Sequence, residues 1–248
     1  MDDETVATLL ALNRRFYTDL AAAFAASRPV GDRALLPILP HIPERARVLD
    51  VGCGHGRLAL LLARERPGSR YVGVDVSAEL LAVAGELAAA LPPGIAAFCR
   101  ADIARPGWTG ALPAGPFDCA VALAVLHHIP SFDLRARLLR DIGTVLAPAG
   151  RAILSTWQFL ANARMRRKVV PWTAAGLAVE KLEPGDYLLH WKRGGCSLRY
   201  CHLVDEAELQ RLAAAAGLQV VESFRAGGRE GDLSLVAVLQ REKVSPLT

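Results

Sequence analysis

One stretch constrains the fold of this chain more than any other, VLDVGCGHGRLALLLA at residues 48–63. An apolar pattern typical of a buried strand leads into Gly52, Gly54 and Gly56, and a leucine- and alanine-rich pattern typical of a helix follows. Glycine lets the backbone turn sharply and approach a ligand closely, while the helix N-terminus offers unpaired N–H groups. This strand, turn and helix therefore predict a ligand site at the edge of a sheet.

The order of residues in the turn narrows the kind of ligand. A nicotinamide dinucleotide fingerprint, Gly-x-Gly-x-x-Gly, would place its third glycine at position 57, which is Arg57. Asp50 precedes the glycines, and its negative charge would repel a pyrophosphate but suits a ligand that carries an amino group. The turn therefore disfavours a dinucleotide and favours a ligand with a positively charged end.

Strand and helix patterns alternate along most of the chain. Because the strands are apolar on both faces, we expect an α/β doubly wound fold, a parallel sheet covered by helices on both sides. The strand patterns lie at residues 46–51, 70–75, 95–100, 117–123, 150–156, 218–224 and 233–240, and the last two form a hairpin. One helix pattern, after the glycine turn, ends at Gly68. Three others run from Ser77 to Pro92, from Ser131 to Leu146 and from Asp205 to Gly217.

Two segments depart from this alternation within what we expect to be a single domain of residues 1–248. Residues 1–43 are predicted to form a helical cap, with one helix over the first 28 residues that places Tyr17 and Phe24 on one face. Residues 158–203 are punctuated by proline and glycine and predict an irregular insertion, located where a substrate lid would sit.

Composition indicates where in the cell the protein is located and whether its cysteines form disulfides or a metal site. The chain has 248 residues, its first ten are acidic, and no apolar run approaches the roughly 18 residues of a membrane span. We therefore expect a cytoplasmic protein with no membrane partner. Five cysteines without a Cys-x-x-Cys pair predict reduced thiols and no metal site.

The charge of the chain is unevenly distributed. Residues 151–203 contain nine lysines and arginines against three acids, a balance of +6, whereas the whole chain carries +4. The excess predicts an anionic partner, and a solvated surface without a partner is the alternative.

Two further acids follow later strands of the predicted sheet. Asp75 closes the second strand, where a carboxylate can accept hydrogen bonds from both ribose hydroxyls, and Asp102 follows the third strand, where it can accept one from an adenine amino group. Together with the run from Asp50 to Gly56 and the segment FDCAVALAVLHHI, these residues resemble the class I S-adenosylmethionine-dependent methyltransferases over residues 44–240.

That resemblance implies a Rossmann-like fold with a seven-stranded, mostly parallel sheet, a reversed final hairpin, and S-adenosylmethionine as cofactor. It implies ribose at Asp75 and adenine between Asp102 and Ile103. It places the methionine moiety beside Leu123 and Ala124. The cofactor contacts predicted in this way are Tyr17, Arg28, Asp50, Gly52, Cys53, Gly54, Gly56, Asp75, Val76, Asp102, Ile103, Leu123 and Ala124.

His127 and His128 come just after the fourth strand, at the expected mouth of the pocket. Either imidazole can act as a general base near neutral pH. The alternative is that each histidine only packs or lines the cleft.

Three segments outside the cofactor motifs bear on the methyl acceptor. LNRRFYTDLAAAFAASR near the N-terminus, GDYLLHWKRGG and LRYCHLVDEAEL are similar to segments of the tRNA wobble-uridine carboxymethyl methyltransferases, which esterify 5-carboxymethyluridine. This resemblance implies tRNA as the substrate and a small activator subunit as a further partner.

The chemistry of a carboxylate acceptor agrees with that family. A carboxylate is already ionised at neutral pH and needs no general base, so catalysis reduces to alignment in a dry pocket with a cation holding the acid. We expect Arg199 to bind the acceptor carboxylate, Tyr200 to stack on the base and His202 to orient the acceptor. A purely structural role at a strand edge is the alternative for Tyr200 and His202.

A surface that follows the phosphates of tRNA would come from basic residues of the insertion, interleaved with aromatic ones. The predicted substrate-binding residues are Arg164, Arg166, Arg167, Lys168, Trp191 and Lys192. Two other functions compete with this one. The first is a small-molecule O-methyltransferase for a phenol or acid, with His127 or His128 as base, and the second is a cofactor-binding partner module.

Overall fold

The computed structural model describes residues 1–27, 33–192, 195–228 and 230–242. Its main sheet has seven strands in the order β3-β2-β1-β4-β5-β10-β9, and a second sheet has the order β6-β7-β8. The strands are β1 (Arg47–Val51), β2 (Arg70–Asp75), β3 (Ala96–Arg100), β4 (Phe117–Leu123), β5 (Leu146–Trp157), β6 (Val169–Val170), β7 (Asp186–Trp191), β8 (Ser197–His202), β9 (Leu218–Ala226) and β10 (Ser234–Arg241).

The first five strands of the main sheet are parallel, and β10 pairs antiparallel with both β5 and β9. This arrangement confirms the Rossmann-like fold, the number of strands and the reversed final hairpin. The helices are α1 (Asp3–Asp19), α2 (Ala21–Ala26), α3 (Arg57–Glu65), α4 (Ala78–Ala88), α5 (Phe132–Val145), α6 (Ala163–Arg166) and α7 (Glu206–Ala215).

The local sequence explains where several helices begin. The Ser77 hydroxyl accepts a hydrogen bond from the Leu80 N–H at the start of α4, and Asp205 accepts one from the Glu208 N–H at the start of α7. Each side chain satisfies one N–H group that has no partner within its helix. The helix starts predicted at Ser77 and Asp205 are therefore confirmed.

Two sequence predictions about the cap and the insertion are wrong. The first 28 residues do not form one helix, because Leu20 takes a non-helical conformation (φ −116°, ψ 18°) between α1 and α2. The insertion is not irregular, because β6, β7 and β8 form an antiparallel sheet within it. No clear sequence pattern marks these short strands, because prolines and glycines interrupt the segment around them.

The N-terminal helix completes this second sheet. Asn13 of α1 accepts a hydrogen bond from the Tyr200 N–H at 2.9 Å and donates to the Tyr200 carbonyl at 3.2 Å. One side chain thereby satisfies both backbone groups that the edge strand β8 presents at this position. The contact fixes α1 across the insertion, beside the carboxyl ends of the parallel strands.

No helix in the described ranges combines the length and the apolar character needed to cross a membrane.

Candidate cofactor and acceptor site

A cavity lies at the carboxyl ends of β1 to β4, under the N-terminal helices. Loops that follow parallel strands meet at this edge, which is where open α/β sheets bind ligands. Ten of the predicted cofactor contacts line the cavity together: Tyr17, Gly52, Cys53, Gly54, Asp75, Val76, Asp102, Ile103, Leu123 and Ala124. Arg28 lies outside the described residues.

The glycine turn has the backbone that its sequence predicts. Gly52, Gly54 and Gly56 have φ values of 69°, 56° and 74°, in the left-handed region that side chains disfavour. A Cβ atom at Gly52 would lie 2.5 Å from Cγ2 of Val125 in the cavity wall. Gly56 is not in the wall and instead forms the N-cap of α3. Any side chain at Gly52 would therefore overlap Val125 as well as strain the backbone.

Asp75 is anchored by the turn that it faces. Its two carboxylate oxygens accept hydrogen bonds from the N–H groups of Gly54 and Ser77, each at 2.9 Å. Burial raises the pKa of Asp75, while these backbone bonds lower it. Each oxygen has a second lone pair, so the anchored carboxylate can still accept two ribose hydroxyls.

Asp50 is not in the cavity wall, which corrects the expectation that it faces the ligand. It is 5% exposed, and its Oδ2 atom accepts a 2.7 Å hydrogen bond from the Tyr71 hydroxyl on the neighbouring strand β2. Burial raises the pKa of Asp50 to about 7, although the Tyr71 bond lowers it. The carboxyl group therefore supports the turn from behind.

Asp102 reaches the cavity but is already engaged. Arg14 of α1, which also lines the cavity, donates to its Oδ2 atom at 2.9 Å, and Arg105 lies 3.4 Å from the same oxygen. The Ala104 N–H holds Oδ1 at 3.1 Å. No local sequence pattern links Arg14 to Asp102, because the two residues lie 88 positions apart.

The two adjacent histidines have different surroundings. His128 lines the cavity, and its Nε2 atom lies 2.9 Å from the Tyr17 hydroxyl. His127 is fully buried outside the cavity wall, with its ring 4.7 Å from that of Trp157. His127 therefore does not lie where a general base would act, which corrects its assignment as a catalytic residue. Of the two histidines, only His128 lines the cavity.

Arg199 is a buried cation surrounded by aromatic rings. It is 2% exposed, and its guanidinium carbon lies 4.5 Å from the Trp157 ring centre, 4.7 Å from that of Phe16 and 5.6 Å from that of Trp191. Within the described part of the chain, its Nε and Nη1 atoms have no hydrogen-bond partner. Three ring faces offset part of the desolvation cost, but they leave these N–H groups unsatisfied.

The surroundings of Arg199 connect it to the cavity. The Trp157 ring lies 5.7 Å from that of His128 in the cavity wall. Burial raises the pKa of Cys201 to about 11, although the Arg199 guanidinium lowers it, so this neighbouring thiol stays neutral and does not balance the charge. Arg199 therefore lies one aromatic ring behind the wall.

Tyr200 and His202 lie away from the cavity, which corrects their prediction as acceptor contacts. Tyr200 is fully buried and its hydroxyl donates to Asp186 at 2.8 Å. The His202 ring nitrogens lie 2.6 Å from Asp186 and 2.8 Å from Glu208, and Glu208 in turn pairs with Arg135. These side chains join the insertion to α5 and α7, which is the structural role left open for them.

The basic residues of the insertion divide into two groups. Arg164, Arg166, Arg167 and Lys192 are exposed, whereas Lys168 is half-buried with its Nζ atom 5.7 Å from the Trp191 ring centre. Trp191 is buried against Phe16, at 5.5 Å between ring centres, so it cannot stack on an exposed base. Trp191 therefore does not provide the exposed aromatic surface that was predicted for substrate binding. Its ring instead forms one wall around Arg199.

The chain is similar to known methyltransferases over most of its length. A family model described as a methyltransferase domain matches residues 21–223. A methyltransferase from Encephalitozoon cuniculi is 28% identical over 228 residues, 92% of this chain and 94% of that protein. A trans-aconitate 2-methyltransferase from Azoarcus is 32% identical over 164 residues, 65% of this chain and 59% of that protein.

Solved structures show the same fold. A 1,6-didemethyltoxoflavin-N1-methyltransferase from Burkholderia thailandensis, solved with S-adenosylhomocysteine bound, superimposes with a TM-score of 0.64 at 20% identity. The match covers 97% of this chain and 90% of that one. The observed cavity, with its glycine turn and anchored Asp75, fits the nucleoside of such a ligand.

Proposed function

We propose that this chain, which belongs to the S-adenosylmethionine-dependent methyltransferases, transfers the cofactor's methyl group to a carboxylate oxygen of its acceptor and so forms a methyl ester. The single observation that carries the proposal is the buried guanidinium of Arg199 with unsatisfied N–H groups. A guanidinium presents paired donors that match the two oxygens of a carboxylate. An acceptor acid would supply the anion that this cation lacks within the described residues.

The proton balance of this reaction agrees with the site. The cofactor supplies an electrophilic methyl group on a sulfonium. A carboxylate oxygen bonds to that methyl carbon while the carbon–sulfur bond breaks and its electron pair stays on sulfur, so no proton moves. Because Arg199 lies behind the Trp157 ring, an acid would reach it only once that ring turns aside. The guanidinium would then orient the acid, and the surrounding rings would exclude water. No general base is required, so the proposal assigns no proton transfer to His127 or His128.

The acceptor carboxylate has two sources that the experiments must separate. The carboxymethyl group of a tRNA wobble uridine is favoured by the resemblance of three segments and by the exposed Arg164, Arg166 and Arg167. A small organic acid is favoured by the similarity to a trans-aconitate methyltransferase. Since an anchored acid is common to both, the role of Arg199 does not depend on the source.

The decisive experiment measures transfer of labelled methyl groups to three kinds of acceptor: tRNA that carries carboxymethyluridine, a panel of small di- and tricarboxylic acids, and a panel of phenols. The product should be a base-labile ester. Transfer to tRNA alone supports the tRNA source, and transfer to free acids supports the small-molecule source. Transfer only to phenols would overturn the proposal.

A matched pair of variants tests the role of Arg199. Arg199→Gln should lower kcat/KM by about a hundredfold, because the acid loses its charged partner, while cofactor affinity stays within about twofold. Arg211→Gln is the control, since its guanidinium also lies over an aromatic ring, Phe132 at 5.7 Å, outside the cavity. Equal activity in the two variants would contradict the assignment.

A further inference from the structure

We propose that His202, through its hydrogen bonds to Asp186 and Glu208, is a positioning residue that fixes strand β8 and the side chain of Arg199 relative to the cofactor cavity. The statement about Arg199 rests on the proposed function. The statement about the strand does not, because it is tested on the protein alone.

Strand β8 has a different environment on each of its faces. Because alternate residues of a strand point to opposite sides, Tyr200 and His202 face a polar network, whereas Arg199 faces the aromatic rings. β8 lies at the edge of the second sheet, with β7 as its neighbour and the Asn13 side chain bonded to the Tyr200 backbone. Since the sheet holds an edge strand from one side only, the position of Arg199 depends on the side chains of Tyr200 and His202.

A continuous series of buried hydrogen bonds connects this strand to the wall of the cofactor cavity. Nδ1 of His202 lies 2.6 Å from Oδ1 of Asp186 on β7, and Nε2 lies 2.8 Å from Oε2 of Glu208 on α7. Arg135 of α5 donates from Nε to Glu208 at 3.1 Å and from Nη1 to the Ile129 carbonyl at 3.0 Å. Ile129 lines the cavity. His202 therefore connects β8 to the loop that forms part of the cavity wall.

The partners of His202 require both of its ring nitrogens to donate. An ionised carboxylate only accepts hydrogen bonds, whereas a neutral imidazole has a single N–H group. Burial raises the pKa of Glu208, but the hydrogen bond from His202 and the charge of Arg135 lower it by more, so this carboxyl group is ionised. A neutral His202 could therefore satisfy only one of its two acids, and the other would face a nitrogen lone pair.

The charge balance of the network also favours the protonated ring. With a protonated His202, two cations face three carboxylates, whereas a neutral His202 leaves one cation against three. Loss of the proton therefore increases the excess of negative charge in the interior, where β7, β8 and α7 meet. The titratable groups around His202 are Asp186 on β7, Tyr200 on β8, Arg135 on α5, Glu208 on α7 and Glu183 just before β7.

Methyl transfer is sensitive to a displaced strand. Misplacement of a reacting group by about 1 Å can cost about a hundredfold in rate. Because β8 carries Arg199, loosening the strand would misplace an acceptor held by the guanidinium without altering the cofactor contacts. The expected signature is a lower kcat at unchanged cofactor affinity.

The first test measures hydrogen exchange of the chain alone by mass spectrometry. His202→Gln keeps a polar side chain but cannot carry the charge, and should speed exchange of the β8 amides about tenfold at short labelling times. Peptides from β1 and β4 are the reference for global unfolding, since inner strands of the main sheet exchange only over much longer times. His41→Gln is the matched control, because His41 also pairs with an acid, Glu222 of β9 at 3.6 Å.

The second test measures methyl transfer to the acceptor that the labelled-methyl experiment identifies. His202→Gln should lower kcat about tenfold and change the cofactor dissociation constant less than about twofold. The assay runs well below the unfolding midpoint of the variant, and circular dichroism verifies that the variant is folded.

Glu208→Gln removes the need for a charged histidine. Its amide oxygen can accept from Arg135, while its NH2 group donates to an unprotonated Nε2 of His202. The network then has one cation and two carboxylates, the same net charge of −1 as the two cations and three carboxylates of the wild type. As pH rises and the wild-type His202 loses its proton, the ratio of kcat in this variant to kcat in the wild type should rise about tenfold between about pH 6.5 and 9.5. The ratio cancels the pH dependence of the acceptor itself.

Three results would overturn the proposal: a pH-independent ratio for Glu208→Gln, an unchanged kcat in folded His202→Gln, or β8 exchange that rises only together with that of β1 and β4. The last result would mean a general loss of stability and not a displaced strand. Equal activity of Arg199→Gln and Arg211→Gln would instead contradict the proposed function, and the exchange of β8 would still decide whether His202 fixes the strand.

Discussion

The guanidinium of Arg14 lies 2.9 Å from the Oδ2 atom of Asp102, and this ion pair joins the N-terminal helix to the loop after β3 at the rim of the cavity. The arginine side chain is 50% exposed, so solvent screens the pair. Such pairs contribute about 0 to 1 kcal/mol to stability. We expect a larger effect on opening of the cavity, since the pair joins two elements that both line it.

Removing this ion pair should affect cofactor exchange more than folding. We expect Arg14→Gln to change the unfolding temperature by less than about 3 °C but to raise the cofactor dissociation rate severalfold. Stopped-flow displacement at low salt measures the rate. High salt should bring the wild-type rate toward that of the variant, and a salt-independent difference would contradict the electrostatic explanation.

The anchored carboxylate of Asp75 should account for much of the cofactor affinity. Asp75→Ala removes two hydrogen bonds to a charged group, at about 1.5 to 3 kcal/mol each before non-additivity, and should weaken binding at least tenfold. Asp118→Ala is the control, because Asp118 also accepts a backbone hydrogen bond, from Arg47 at 2.8 Å, but lies outside the cavity. Unchanged affinity in calorimetry of the Asp75 variant would disprove the ribose assignment.

Gly52 should tolerate no side chain. Gly52→Ala combines a φ of 69° with a Cβ atom 2.5 Å from Val125, and we expect it to destabilise the fold by about 1 to 3 kcal/mol and to reduce cofactor affinity. Gly94→Ala is the matched control, since its φ of 79° is similar but nothing lies within 4 Å of its Cβ. Denaturant unfolding should therefore show the larger loss at Gly52.

The buried histidine of the insertion should make stability depend on pH. Burial lowers the pKa of His202, but the hydrogen bonds from its ring to Asp186 and Glu208 raise it more, so the folded-state pKa is above the ordinary value. The stabilisation is therefore fully present below the unfolded pKa of about 6.5 and is lost as pH rises through the folded pKa.

This pH dependence is measured by comparison with His202→Gln, which cannot carry the charge. The variant should be less stable by about 3 kcal/mol near pH 6, because the buried carboxylates lose their partner. The difference in unfolding free energy between wild type and variant should shrink above pH 7. A difference that is constant from about pH 6 to 9 would show that His202 is not charged in the folded protein.

The exposed arginines of the insertion test tRNA as the acceptor source. Reversing Arg166 and Arg167 to Glu should weaken tRNA binding and flatten its salt dependence, whose slope is roughly −0.7 to −0.9 per phosphate contact. Arg199→Gln should leave tRNA affinity nearly unchanged, because its side chain is buried. If the wild type has no salt-dependent affinity for tRNA, the small-acid source gains support.

The sequence by itself determined the layered fold and the cofactor edge. Alternating apolar strands and helices required a parallel sheet covered on both faces. The three glycines predicted a turn in which the backbone adopts left-handed conformations that other residues disfavour. Asp75 was predictable for the same reason, since the end of a strand fixes the position of its next side chain. These features depend on local patterns and on topology rules that act over short stretches of chain.

Only the tertiary structure decided the roles of the remaining polar side chains. Tyr200, His202 and Arg199 lie within four positions, yet Tyr200 and His202 join a buried network while Arg199 enters an aromatic enclosure. Alternate residues of β8 face opposite sides, and what lies on each side comes from distant segments such as Phe16 and Glu208. The pairings of Arg14 with Asp102 and of Tyr17 with His128 likewise join residues 88 and 111 positions apart, because long-range packing and not local propensity brings such groups together.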